Sequence, residues 1–299
     1  MFKASLQSTW TVFTAAILFL FSLPAFSCTR TPLEERLLAV YKDKPQMLQG
    51  FYCGTKLRFD ADAKLRDGGQ PGSWTVCGDV HIEDIEIKND EVRIKAQRVY
   101  LYYDPRKISF QDVELLVPQK EKNNKTRQQN RQLEIHIARP VGADEAAIQS
   151  SLDKLFRPAD KDFSDIAPDY WKPYLQGRKI GKRPETIQKE EQLPLLKPIA
   201  GSGDSSANKK ITVPHVISSP NPDFSQEARE YRFQGTVLVK LLIDSEGKPA
   251  NIWIIRPLGL GLDEKAVEAI KKWKFVPEKD SNAKPVESHA EVEVNFRLY

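Results

Sequence analysis

The stretch GTVLVKLLIDSEGKPANIWIIRPLGLGLDEKAVEAIKKWKFVP, residues 235–277, decides the fold of the C-terminal third of the chain. Its first part has apolar side chains at alternate positions: Val237, Val239, Leu241 and Ile243. This period of two predicts a strand with one buried face. Asp244–Gly247 has the composition of a hairpin turn, and Ile252 and Ile254 indicate a returning strand that ends at Pro257. The stretch therefore begins with a β-hairpin.

A helix and one more strand follow the hairpin. Apolar residues at helical spacing predict the buried stripe of the helix: Leu262, Ala266, Val267, Ile270 and Trp273. Asp263 and Glu264 lie at its positive end and Lys271 near its negative end, as the helix dipole favours. From Ala290 to Leu298, apolar and polar residues alternate, which predicts a last strand with one face in water. The order of elements is ββαβ.

These pieces, in this order, resemble the C-terminal domain of the TonB family, the periplasmic energy transducers of Gram-negative bacteria. The resemblance covers about residues 213–299. It rests on SPNPDFSQEAR before the first strand, on the Leu-Asp-Glu start of the helix, and on Trp273-Lys274-Phe275 followed by Pro277. Phe224-Ser225 stands where the family usually has Tyr-Pro, a difference that alters a local turn rather than the fold.

The resemblance implies a binding site and two kinds of partner. In the TonB family, the last strand takes up a short segment of an outer-membrane receptor, the TonB box, by main-chain pairing. On this sequence the implied partner-binding residues are Glu291, Val292, Glu293, Val294, Asn295, Phe296 and Arg297. The implied partners are TonB-dependent outer-membrane receptors and a proton-driven inner-membrane motor complex. Residues 211–299 hold 12 basic and 13 acidic residues, which favours recognition by strand pairing over recognition by charge.

Two functions remain open. The first is a TonB-type periplasmic energy transducer or adaptor that supports transmembrane transport. The second is an exported periplasmic or lipid-anchored binding or scaffold protein that uses a TonB-like domain without energy transduction. Transducers of the family carry a Ser and a His one turn apart in an N-terminal membrane helix, whereas no histidine precedes His81 here, and the usual proline-rich spacer is missing. Retention of the N-terminal apolar segment separates the two functions.

The N-terminal half is predicted to be mainly antiparallel β, so the fold class is α+β. Period-two patterning predicts a meander of three strands with a bulge at Asp84 and a later fourth strand. The predicted strands are Val80–Ile87, Val92–Ala96, Val99–Tyr103 and Leu133–Ile137. The basic segment 119–131 is predicted to be a flexible loop, and helical spacing predicts a helix over Asp144–Phe156.

The N-terminus predicts export. An apolar run from Val12 to Leu23 is followed by small residues, which is the layout of an export signal or, if retained, of a membrane anchor. Cleavage after Ser27 would leave Cys28 first, so lipidation at Cys28 is one alternative. Cys53 and Cys77 then form an even pair in an oxidising compartment and predict a disulfide, with two free thiols as the other possibility. The protein is expected in the periplasm, associated with a membrane.

Composition excludes several classes of function. There are 45 Lys and Arg against 41 Asp and Glu, so the net charge of +4 gives no basis for nucleic-acid binding. The sequence contains no phosphate-binding Gly-rich motif, no metal-binding pair at helical spacing and no nucleophile elbow, which argues against an enzyme, a cofactor or a metal. The predicted organisation is a signal or anchor (1–27), a β-rich domain of unknown family (28–170), a basic linker (171–212) and a TonB-like domain (213–299).

Overall fold

The structure is a computed structural model that describes residues 30–42, 44–118, 121, 124–139, 142–175 and 214–298. The predicted export signal, the candidate lipidation site Cys28 and most of the predicted linker lie outside these residues. Within the described ranges, no helix is long and apolar enough to cross a membrane.

A seven-stranded sheet forms the centre of the N-terminal part. In chain order, the strands of this part are β1 (Gln46–Leu48), β2 (Tyr52–Cys53), β3 (Lys56–Phe59), β4 (Leu65–Asp67), β5 (Gln70–Pro71), β6 (Asp79–Ile87), β7 (Glu91–Arg98), β8 (Leu101–Asp104), β9 (Ser109–Asp112), β10 (Gln132–Ala138) and β11 (Phe156–Pro158). The sheet order is β11-β1-β6-β7-β10-β3-β4, and its neighbours are antiparallel except β3 and β10. The predicted bulge is present, because the register shifts between Ile82 and Asp84.

Two of the helices of the N-terminal part pack on this sheet. The helices of the N-terminal part are α1 (Pro32–Tyr41), α2 (Trp74–Cys77), α3 (Lys125–Arg131), α4 (Glu145–Leu155) and α5 (Lys172–Leu175). α1 begins with a capping box between Thr31 and Glu34, and the Asp144 side chain caps α4. Leu37 of α1 and Leu152 of α4 are buried in one core with the apolar side chains of the sheet. The helix predicted over 144–156 is therefore confirmed.

Two expectations for the N-terminal part were wrong. β8 does not continue the meander; it pairs with β9, and β10 takes its place beside β7. Leu101, Tyr102 and Tyr103 are all buried, so both faces of β8 are covered. The alternation that predicted a strand of the meander therefore does not mark a strand with one exposed face. The second correction concerns the basic segment 119–131, of which Lys125–Arg131 is the helix α3, with Arg131 buried in an ion pair with Glu114.

The central elements of the C-terminal part follow the predicted ββαβ order, with further short strands around them. The elements of this part are β12 (His215–Ser218), α6 (Gln226–Glu230), β13 (Gly235–Ile243), β14 (Pro249–Arg256), α7 (Leu262–Ile270), β15 (Lys274–Val276), β16 (Glu278–Lys279), β17 (Pro285–Val286) and β18 (Ser288–Phe296). The helix α7 ends at Ile270, so Trp273, predicted on its buried stripe, lies beyond it and is followed by the strand β15. β14, β13 and β18 form a three-stranded antiparallel sheet in that order, with its alternate residues buried beneath α7. β12 pairs separately with β15. The α+β fold class is confirmed.

One hydrophobic core continues from the N-terminal part into the C-terminal part. Trp74 and Trp171 are fully buried, with ring centroids 5.3 Å apart. The same cluster contains Leu260 and Leu262 from the C-terminal part and Val239 from its sheet. Trp171–Leu175, which the sequence places at the start of the linker, are thus part of the folded structure, because their aromatic and apolar side chains complete this core.

The Cys53 and Cys77 pair forms a disulfide in the structure. It joins β2 to the last residue of α2. α2 also carries Trp74 of the continuous core and Thr75, whose hydroxyl accepts a hydrogen bond from Gly261 in the C-terminal part. The disulfide therefore fixes the short helix on which the C-terminal part rests.

Asp79, at the start of β6, is a buried carboxyl group. It is 6% exposed, and burial together with the nearby Asp112 charge raises its pKa to about 7. This value exceeds the pKa of an aspartate in the unfolded chain, which is about 4. Between about pH 4 and about pH 7, the carboxyl group is therefore protonated in the folded state and ionised in the unfolded state. We expect the free energy of unfolding to fall as pH rises through this window, and Asp79→Asn to reduce the slope.

Urea unfolding at several pH values measures this slope. Asp160→Asn, which removes an exposed carboxyl group, is the matched control and should leave the slope unchanged. An equal slope in Asp79→Asn and the wild-type chain would show that Asp79 does not titrate in this range.

Candidate partner-binding site

β18 lies at an edge of the C-terminal sheet. It pairs with β13 over nine residues without a register shift, and in the part of the chain that the structure describes no strand pairs with its other side. Val294 and Phe296 are buried, whereas Glu291, Glu293 and Asn295 are exposed. An unpaired strand edge is able to accept another strand through main-chain hydrogen bonds.

The opposite edge of the same sheet is covered. The Ile254 N–H of β14 donates to the Tyr170 carbonyl at 3.0 Å, and the short helix α5 packs beside β14. Tyr170 belongs to the N-terminal part, so the chain itself occupies this edge. β18 therefore provides the open edge of the three-stranded sheet.

The bond from Ile254 also shows which main-chain groups of β18 are free. Ile254 lies opposite Val239, and the Ile254 N–H points away from β13. In an antiparallel pair, the main-chain groups of two opposite residues point either toward each other or apart, so the N–H and C=O groups of Val239 point away from β14. Val239 consequently bonds to its other partner, Val292 of β18. Because this direction alternates along a strand, the free N–H and C=O groups belong to His289, Glu291, Glu293 and Asn295.

The exposed side chains of β18 are held by pairs across the sheet. The Thr236 hydroxyl bonds to Asn295 Oδ1 at 2.7 Å, and Arg256 Nη2 lies 3.5 Å from Glu293 Oε1. The rings of Trp253 and His289 lie 6.0 Å apart. These pairs lie on the solvent face and keep the strand extended, which prepares its free edge for pairing.

A loop of the C-terminal part fixes the sheet to the N-terminal part. We call the contacts of Leu258–Gly261 with β8 and α2 the junction. The Tyr103 N–H donates to the Leu258 carbonyl at 2.9 Å, and the Leu260 N–H donates to the Leu101 carbonyl at 2.8 Å. The Gly261 N–H donates to Thr75 Oγ1 at 3.0 Å. The junction thus adds a short strand to the free side of β8.

Two carboxylates at the start of α7 hold the junction in place. Asp263 accepts the N–H groups of Leu258 and Gly259 at 2.8 and 2.7 Å, which fixes the loop. Glu264 accepts the Trp171 indole N–H at 2.8 Å. Burial raises the pKa of Asp263 to about 8, with the Glu264 charge acting in the same direction, and burial also raises the pKa of Glu264. The helix start therefore serves structure, as a cap and a contact between the two parts.

Most of the C-terminal part matches a known protein family. Residues 220–298 match the family model of the Gram-negative bacterial TonB protein C-terminal. The resemblance predicted from sequence is confirmed for this segment, and we call residues 214–298 the TonB-like domain.

Two curated proteins are similar to part of the chain. Protein tonB2 of Pseudomonas aeruginosa is 31% identical over 83 residues, which are 27% of this chain and 30% of that protein. Protein TonB of Vibrio cholerae serotype O1 is 29% identical over 109 residues, which are 36% of this chain and 44% of that protein. The chain thus spans less than half the length of either relative.

A solved structure is similar as well. The solution NMR structure of the Pseudomonas aeruginosa TonB C-terminal domain is 22% identical, with a TM-score of 0.24, and the match covers 28% of this chain and 86% of that chain.

The structure places six of the seven predicted binding residues in β18, and Arg297 directly after it. Their role in binding remains a prediction. The sequence did not indicate the junction or the covered edge of β14, because both depend on contacts between distant parts of the chain. The signal in the sequence was the group of three aromatic residues Tyr170, Trp171 and Tyr174, which is unusual at the start of a linker. Among the described residues, no cluster of His, Cys, Asp and Glu is arranged to hold a metal ion.

Proposed function

We propose that this protein is a TonB-type periplasmic adaptor or energy transducer that captures the TonB box of an outer-membrane receptor by adding it as a strand to β18. The observation that carries the proposal is the asymmetry of the three-stranded sheet. One edge is occupied by Tyr170 and α5, and the other presents the free main-chain groups of β18. The similarity of residues 220–298 to the TonB family supports the choice of partner.

The open edge is suited to a partner whose sequence is weakly constrained. Four alternate residues of β18 supply donors and acceptors, and their side chains lie on the solvent face, so pairing there disturbs neither the β13 ladder nor the core. Main-chain bonds would then provide affinity, while the outer side chains adjust specificity. The near-neutral charge of this domain agrees with such recognition.

Disulfide trapping tests the capture. In a Cys28→Ser background, Asn295→Cys places a thiol on the solvent face of β18, and Ile255→Cys places one at an exposed position of β14 as the matched control. A TonB-box peptide whose central cysteine is activated as a disulfide with thionitrobenzoate is expected to form a mixed disulfide with Asn295→Cys, with release of thionitrobenzoate, at least about tenfold faster than with the control. Equal rates for the two variants would place capture elsewhere.

A second function is favoured by the junction. The TonB-like domain packs onto a folded N-terminal part and shares its core, as expected of a scaffold that holds a partner without transmitting force. The mass and location of the mature chain decide between the two. An intact N-terminus in the inner membrane, copurifying with a proton-driven motor, supports a transducer; a soluble chain that begins at or near Cys28 supports the scaffold.

A further inference from the structure

A groove of about 550 Å³ lies where the TonB-like domain meets the β8–β9 hairpin. Its N-terminal wall contains Tyr102, Asp104 and Arg106, and its C-terminal wall contains Phe233, Thr236 and Arg256. Both walls are needed to form it, so the groove exists only because the two parts are packed together.

The groove adjoins β18 through side-chain pairs, although no residue of β18 lines it. Thr236, which lines it, bonds to Asn295, and Arg256, which also lines it, pairs with Glu293. Asn295 and Glu293 are two of the residues whose main-chain groups face the open edge. A chain that leaves the paired strand at this end therefore meets the groove within a few residues.

The charges of the groove indicate what it accepts. Arg106 is exposed, and no carboxylate of the described residues forms an ion pair with its guanidinium. Among the described residues, Arg256 forms an ion pair with Glu293 alone, at 3.5 Å. Asp104 is the one acidic residue that lines the groove, and its carboxylate accepts the main-chain N–H of Arg106, so two guanidinium groups stand against one carboxylate in the lining. The aromatic rings of Tyr102 and Phe233, whose centroids are 5.7 Å apart, supply an apolar surface beside these cations.

We propose that this groove binds an acidic segment of the receptor chain, containing an apolar or aromatic residue, that directly adjoins the strand captured by β18. This inference rests on the proposed function and adds the chemistry of the flanking segment. Charge complementarity favours this occupant over residues 176–213 of the same chain, which contain eight basic and four acidic residues.

Calorimetric titration of the full chain with designed peptides tests the proposal. The probes are a TonB-box peptide alone, the same peptide with Asp-Phe-Glu-Asp added at either end, and matched peptides with Lys-Phe-Lys-Lys. One of the two acidic extensions is expected to lower the dissociation constant about tenfold relative to the TonB-box peptide alone. The basic extensions are not expected to lower it. Arg106→Glu should remove this gain and leave the affinity for the short peptide unchanged.

Lys107→Glu is the matched control, because it makes the same charge change on the same hairpin but Lys107 does not line the groove. It should retain the gain. Two results would show that the groove proposal is wrong while leaving the capture by β18 intact. In the first, the short peptide binds and neither acidic extension increases its affinity. In the second, Lys107→Glu removes the gain in affinity as fully as Arg106→Glu does. If no peptide binds the wild-type chain, the proposed function fails, and this inference fails with it.

Discussion

Replacing Gly259 by valine is expected to separate the TonB-like domain from the N-terminal part. Gly259 has a φ of 88°, which valine adopts only under strain. A Cβ at this position would lie 2.4 Å from the Leu101 carbonyl oxygen and 2.7 Å from Tyr102 Cα. Both are main-chain atoms of β8, so the clash is relieved only by breaking the junction.

Urea unfolding should show a loss of at least about 3 kcal/mol in Gly259→Val, the strain and the lost contacts together. Gly142→Val is the matched control, since Gly142 has a φ of 80° but no neighbour within 4 Å of an added Cβ. It should lose only the strain, roughly 1 to 2 kcal/mol.

Trypsin cleavage in 176–213 gives a second readout of the junction. The two wild-type fragments should elute together in gel filtration and those of Gly259→Val apart. Two results would show that the junction does not hold the N-terminal part and the TonB-like domain together. One is an equal loss of unfolding free energy in Gly259→Val and Gly142→Val. The other is co-elution of the fragments of Gly259→Val.

Replacing Trp171 by alanine should have an effect of similar size. Its fully buried indole packs on Trp74 and Phe110 and donates to Glu264. Truncation of a buried tryptophan costs about 3 to 5 kcal/mol and here also removes one hydrogen-bond donor to the Glu264 carboxylate. We expect the TonB-like domain to become susceptible to proteases at a lower urea concentration than in the wild-type chain.

Phenylalanine substitutions separate packing from hydrogen bonding. Trp171→Phe keeps a ring but loses the bond to Glu264, whereas the Trp74 indole N–H has no hydrogen-bond partner in the structure. Trp171→Phe should therefore cost roughly 1 to 2 kcal/mol more than Trp74→Phe in urea unfolding. Equal costs would mean that the Trp171 to Glu264 bond contributes nothing.

The TonB-like domain was predictable from sequence because its elements follow local rules. β13 and β18 alternate, and α7 has an apolar stripe, since each element buries one face. β8 failed this rule because the side chains on both of its faces are buried, while the Leu258–Gly261 loop pairs with its edge. No periodicity in Leu101–Tyr103 predicts a partner about 150 residues away, so the junction was visible only in the fold.

The junction bears on how the partner-binding edge could work. β18 is attached to β13, which shares a core with the N-terminal part, so a pull on a captured strand reaches that part through packed structure as well as through the chain of 176–213. In a transducer, the N-terminal part would then replace the missing proline-rich spacer. In a scaffold, the same contact would keep the open edge in a fixed orientation.

Peptide binding to a proline variant of β18 tests the central claim most directly. The Glu293 main chain faces the open edge and its side chain is exposed, so Glu293→Pro removes one free donor while leaving the β13 ladder and the core intact. Glu293→Pro and Glu293→Ala should have the same melting temperature. Glu293→Pro should nevertheless bind a TonB-box peptide at least about tenfold more weakly than Glu293→Ala. Equal affinity of the folded proline and alanine variants would contradict strand addition to β18.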